Sequence, residues 1–117
     1  MRRSVLKLLE DIRVAATSIQ DYTQAIAETD YLENKLIRRA VEREFEIIGE
    51  ALRRLSSSHP DVGVQITEMG QIISFRNVLA HGYDAVVDQR VWQAVTTEVP
   101  NLLAEVQALI EEEKARQ

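Results

Sequence analysis

The sequence predicts an all-α protein, an antiparallel four-helix bundle, on three observations. Apolar residues recur at steps of three and four in four separate segments, the spacing that lines one face of a helix. No run alternates apolar and polar residues over a useful length, and no Asn-Gly turn marks a hairpin. The stretches between the periodic segments are short, so successive helices pack antiparallel.

The first segment carries Val5, Leu8, Ile12, Ala15, Ile19, Tyr22 and Ile26 in one seam of a long helix, and the stripe ends near residue 29. Asp30 followed by Glu33 has the form of a capping box opening a second helix, whose seam is Ile37, Val41, Phe45, Ile48, Leu52 and Leu55. Ser56 to Gly63 is the clear breaker, a loop in which Pro60 drives His59 out of the helical region. A third, shorter helix is predicted over about 64–80, with Ile66, Met69, Ile72, Ile73, Phe75 and Leu79 on its apolar face and Gly82 as its exit. Asp88 is the predicted N-cap of the last helix, which runs through Trp92, Val95, Val99, Leu102, Val106 and Leu109. Pro100 falls inside an unbroken register, so one kinked helix is expected there rather than two.

A chain of 117 residues with 45% hydrophobic and 28% charged residues is expected to form a single domain over 1–117 with its own core. The absence of cysteine excludes disulfide frameworks, thiol nucleophiles and Cys-based zinc or iron–sulfur sites. His59 and His81 stand too far apart for a ligand pair, so neither a metal site nor a cofactor is expected. Lys7, Glu10 and Asp11 interrupt the apolar start, which argues against a signal peptide or membrane span, and the expected location is the cytoplasm. A net charge of -5 gives no global attraction for nucleic acid, so any RNA contact must be local. The one basic stretch, residues 35–54, sets Lys35, Arg38, Arg39, Arg43, Arg53 and Arg54 against Glu42, Glu44, Glu46 and Glu50. It reads equally as phosphate-binding surface and as a solvated helix face with intrahelical pairs.

Chemistry concentrates at the end of the third helix, where Arg76, Asn77, His81 and Tyr83 fall within eight positions. Asn77 and His81 are four apart and share a helix face, so the amide can orient the imidazole. Arg76 and His81 lie roughly 140° apart around an ideal helix and converge only where the backbone leaves it, an exit Gly82 provides. A guanidinium beside an imidazole forms an anion clamp with a group that transfers protons near neutral pH, a combination suited to phosphate chemistry. On spacing alone a structural role stays open: His81 as a helix C-cap, Arg76 paired with Glu42 or Glu46, and Tyr83 packed in a loop.

The run Arg76-Asn77 to His81-Gly82-Tyr83 resembles the Arg-x4-His-x-Tyr motif of the HepT-like toxins of the HEPN superfamily. Arg39-Ala40-Val41-Glu42-Arg43, Ile47-Ile48-Gly49-Glu50-Ala51 and the His59-Pro60 stretch are similar to the same family, in the same helical order. The resemblance implies a metal-independent endoribonuclease acting as the toxin of a bacterial toxin–antitoxin pair, with Arg76 and His81 as the catalytic pair and Asn77 orienting. It further implies a homodimer with facing motifs, and a minimal nucleotidyltransferase antitoxin (MntA-like) that transfers AMP from ATP to Tyr83. Two other readings remain. One is a non-catalytic helical module that docks on a nucleotidyltransferase and binds nucleotide or substrate through Arg76 and His81; the other is a plain dimeric bundle with a structural polar cluster.

Overall fold

The computed structural model describes residues 2–67, 71–72 and 85–116, and over these the chain is all-α. Helix α1 (Arg3–Thr23) leads through the short α2 (Glu28–Glu33) into the long α3 (Lys35–Ser58). A helical turn, α4 (Pro60–Gly63), follows at once. The C-terminal rod consists of α5 (Ala85–Gln93), a π-helical segment over Ala94–Glu98, and α6 (Val99–Ala115).

Helix α1 is packed against both α3 and α6. Its core stripe is Val5, Leu9, Ile12, Ala16 and Ile19, all fully buried, and it meets Val41, Phe45, Ile48, Leu52 and Leu55 of α3 together with Val99, Leu102 and Val106 of α6. Polar contacts set the directions. Ser4 Oγ lies 2.9 Å from His59 Nε2, so the start of α1 meets the end of α3, while Tyr22 near the end of α1 donates to Glu44 at 2.9 Å. Arg2 reaches Glu113 in the last turns of α6. Both neighbours of α1 therefore run antiparallel to it, and Ile72 joins the same core.

Several local expectations need correction. The buried stripe of α1 passes through Leu9, with Leu8 only partly buried and Tyr22 exposed, because the 3.6-residue turn drifts from a strict heptad count. Asp30 does not cap the long helix: its carboxylate accepts the Ala27 N–H at 2.9 Å as the third residue of α2. The long helix is opened instead by Asn34, whose side-chain oxygen accepts the Ile37 N–H at 3.0 Å. Ser56 to Ser58 continue α3, and Pro60 opens α4, a position where its missing N–H removes no intrahelical bond. His59 is half-buried between the two helices.

Residues 64–67 are turn rather than the start of a third helix. Thr67 donates both its backbone N–H, at 3.1 Å, and its hydroxyl, at 2.6 Å, to Glu105 of α6, which fixes the turn. Gln71 and Ile72 are helical, and the remainder of the expected helix lies outside the described residues.

Asp88 lies inside α5, not at its N-cap. The C-terminal rod is helical without interruption from Ala85 to Ala115, as the register across Pro100 required. The proline is accommodated by the preceding π-helical segment, in which the Val99 N–H reaches back five residues to the Ala94 carbonyl. No helix among the described residues is long and apolar enough to cross a membrane.

The closed end of the bundle is tied by one carboxylate. Glu113 is buried, and its oxygens accept the Arg2 backbone N–H at 2.9 Å and the Arg2 side chain at 3.1 and 3.3 Å. Arg2 also donates to Asp61 at 2.9 Å, linking α1, α4 and α6. The hydrogen bonds from Arg2 hold the Glu113 carboxyl below the usual carboxylate range. A lowered folded-state pKa contributes stability that is present above the unfolded value, about 4.3, and lost as pH falls through the folded value. Glu113→Gln is expected to lower the Tm at pH 7 by about 3–6 °C. In thermal melts followed by circular dichroism, the gap between wild type and variant should close as pH falls below 4; a constant gap would exclude ionised Glu113 as the cause.

Candidate functional site

Arg76, Asn77, His81 and Tyr83 all lie outside the described residues, and the structure fixes the chain on either side of them. Upstream, Ile72 is buried in the core. Downstream, α5 (Ala85–Gln93) packs through Asp88 and Val91 at the end of the bundle where α2 and α3 begin.

That end carries a polar cluster built from three helices. Tyr31 of α2 is fully buried, and its ring packs against Trp92 of α5 with centroids 5.3 Å apart and planes inclined by 37°. Its hydroxyl is buried with no hydrogen-bond partner. Burial, reinforced by the charges of Glu42 and Asp88, pushes the Tyr31 phenol well above its ordinary pKa. Arg38 of α3 donates through Nη1 to the Leu32 carbonyl near the end of α2. Its Nε stands 3.6 Å from Asp88 Oδ2, too long for a hydrogen bond, and is likewise buried without a hydrogen-bond partner. Glu42 borders the same cluster. Burial raises its carboxyl pKa, with Arg39 pulling in the opposite direction.

Sequence reasoning placed Arg38 in the basic stretch and Asp88 at a helix cap, and so missed their pairing. A signal was present. Arg38 extends the α3 seam of Val41, Phe45 and Ile48 backward by one turn, and Asp88 stands three residues before Val91 and seven before Val95. A charge in core register must find a partner, and these two face each other.

The other α3 arginines follow the intrahelical alternative. Arg39 pairs with Glu42 at 3.0 Å, Arg43 with Glu46 at 3.4 Å, and Arg53 and Arg54 share Glu50 at 2.6 and 3.1 Å. Each arginine is more than half exposed. The two guanidinium groups hold the Glu50 carboxyl down to about 2, so these pairs persist through the neutral range. Glu42 and Glu46, named as possible partners of Arg76, thus already have partners on their own helix. Among the described residues no cluster of His, Asp or Glu could hold a metal ion.

Comparison with known proteins follows the same chain. The family described as "Ribonuclease HepT-like" matches residues 12–109, a span that includes Arg76, Asn77, His81 and Tyr83. A protein of Methanocaldococcus jannaschii, provisionally named an RNase, is 31% identical over 91% of this chain and 96% of its own length. A protein of Thermococcus cleftensis, provisionally named ribonuclease HepT, is 33% identical over 93% of this chain and 98% of its own. A further provisionally named RNase, from Caldanaerobacter subterraneus subsp. tengcongensis, is 26% identical over 91% and 94%. No solved structure gives a significant match.

The unpartnered phenol supplies a direct test of the cluster. A buried hydroxyl without a hydrogen bond costs stability, so Tyr31→Phe is expected to raise the unfolding free energy by about 0.5–1 kcal/mol in denaturant titrations. A loss of stability instead would show that the hydroxyl is satisfied in solution.

Proposed function

The chain belongs to the HepT-like ribonuclease family, and we propose that it is a metal-independent endoribonuclease acting as the toxin of a toxin–antitoxin pair in the cytoplasm, with residues 1–117 as one HEPN-type domain. The observation that carries this reading is the motif itself: Arg76, Asn77, His81 and Tyr83 stand in family order inside the matched span.

These residue types suffice for strand cleavage without a metal. The RNA 2′-hydroxyl attacks the adjacent phosphorus, a 2′-O–P bond forms, and the P–O5′ bond breaks. The products are a 2′,3′-cyclic phosphate and a free 5′-hydroxyl. His81 accepts the proton from the attacking hydroxyl or delivers one to the leaving oxygen, and Arg76 stabilises the charge gathering on the phosphoryl oxygens. Asn77 orients the imidazole.

Silencing follows from the position of Tyr83. A minimal nucleotidyltransferase antitoxin transfers AMP from ATP: the Tyr83 hydroxyl attacks the α-phosphorus, and pyrophosphate leaves. The product places bulk and negative charge two residues from His81, where it repels the RNA backbone. Dimerisation suits the same chemistry, because the exposed α3 arginines are already engaged by glutamates and a second copy would bring a second Arg76.

Arg76→Ala and His81→Ala are each expected to lower the rate of RNA cleavage by about 100-fold or more, with unchanged helical circular dichroism and with wild-type cleavage persisting in EDTA. Wild-type rates in both variants would remove the catalytic assignment. Tyr83→Phe should retain cleavage and gain no AMP when incubated with the antitoxin and ATP, as read by intact mass. An AMP adduct on that variant would place the acceptor elsewhere.

A further inference from the structure

Of the arginines on α3, Arg38 alone turns inward: its side chain is 16% exposed, against 54% for Arg39 and 70% for Arg43. An apolar residue at this seam position would pack without desolvation cost, whereas a guanidinium there loses water and must recover it from neighbours. Arg38 recovers it from two other elements. Nη1 holds the Leu32 carbonyl of α2, and Nε faces the Asp88 carboxylate of α5 at 3.6 Å. Asp88 is the fourth residue of α5, seven positions after His81 and five after Tyr83. The guanidinium thus couples α2 and α3 to α5, the described helix that follows the motif in sequence. Hydrophobic contact holds α5 to the bundle through Val91 and Trp92, yet it is non-directional and tolerates sliding. The Nη1 hydrogen bond to Leu32 fixes the guanidinium against α2, so the Asp88 carboxylate meets a cation held at one place.

We propose that Arg38 and Asp88 are positioning residues for the ribonuclease reaction: their pair sets the placement of the first turn of α5, and with it the geometry of the motif that leads into that turn. This rests on the ribonuclease reading above. They act through the backbone that carries His81 and Tyr83, where a displacement of about 1 Å costs up to about 100-fold in rate.

The test uses the full chain with Asp88→Asn, Asp88→Glu and Arg38→Met. It combines steady-state cleavage of a labelled RNA with amide hydrogen exchange read by mass spectrometry. Asp88→Asn preserves shape and removes charge. It is expected to lower kcat by about 10- to 100-fold with KM within about twofold, and to speed exchange in residues 85–93 while α1 and α3 keep wild-type protection. Arg38→Met should do the same. Asp88→Glu, whose longer side chain still reaches Nε, should restore most of kcat and of the protection. Wild-type kcat and exchange in both charge-removing variants would overturn the proposal, as would an Asp88→Glu variant as impaired as Asp88→Asn. Faster exchange throughout α1 and α3 would also overturn it, by showing a purely structural role. A wild-type protein that cleaves no RNA would overturn the ribonuclease reading, and the exchange measurements would still decide whether the pair anchors α5.

Discussion

The structure depends on the burial of α1 along two sides at once. Val5, Leu9, Ile12, Ala16 and Ile19 are fully buried, and one stripe serves both α3 and α6. A helix placed this way cannot shift without opening both contacts, and close-packed interiors resist partial shifts. Its antiparallel neighbours then have their ends fixed. At one end the start of α1 meets the ends of α3 and α6; at the other, α2, the first turns of α3 and the start of α5 converge. The stretch containing Arg76 to Tyr83 lies between Ile72, seated in the core, and Asp88, held at the second end.

The two ends solve the problem of buried polar groups differently. Glu113 accepts three hydrogen bonds from Arg2 and is further paired with Arg116 at 3.2 Å, so its burial is compensated. The cluster at the other end is left incomplete: the Tyr31 hydroxyl and Arg38 Nε are buried without hydrogen bonds. Fully satisfied networks rigidify, while unsatisfied groups in a native interior call for an explanation outside stability. The incomplete end is the one that holds Asp88, five residues after Tyr83 in the sequence. A domain of this size has little stability to spare, so tolerance of two unsatisfied groups there is consistent with a geometric demand that apolar packing could not meet.

Helix content and order were legible because periodic burial is a nonlocal demand that every residue of a seam reports. Boundaries were less so, since capping depends on single hydrogen bonds for which neighbouring polar residues compete. Asp30 has the sequence form of a cap, but its carboxylate is taken by Ala27 within α2, which leaves the long helix to Asn34. Asp88 has the side chain of a cap and the register of a core position, and register prevailed because its partner Arg38 was already inside. Serines after Leu55 favour loops in isolation, yet α3 continues through them because a single turn of exposed residues costs little when the helix is already nucleated. The motif residues were legible as chemistry from type and spacing. The Arg38–Asp88 pair was not, because a sequence shows the sign of a charge and its register but joins no two distant seams.

Charge distribution gives the positioning argument its weight. Affinity for RNA arises largely from cations that neutralise phosphates and release counterions. Here the net charge is -5, and the exposed arginines of α3 are each held by a glutamate on the same helix. Engaging a phosphate with one of them means breaking an existing pair, which returns part of the gain. Such a surface attracts RNA weakly, so rate enhancement must come from interactions confined to the transition state rather than from tight ground-state binding. Interactions of that kind are steep in distance and angle. An acidic ribonuclease thus has more to gain from fixing its backbone than from adding cations. A guanidinium placed inside the bundle, at a position where a leucine would pack more cheaply, is consistent with that balance.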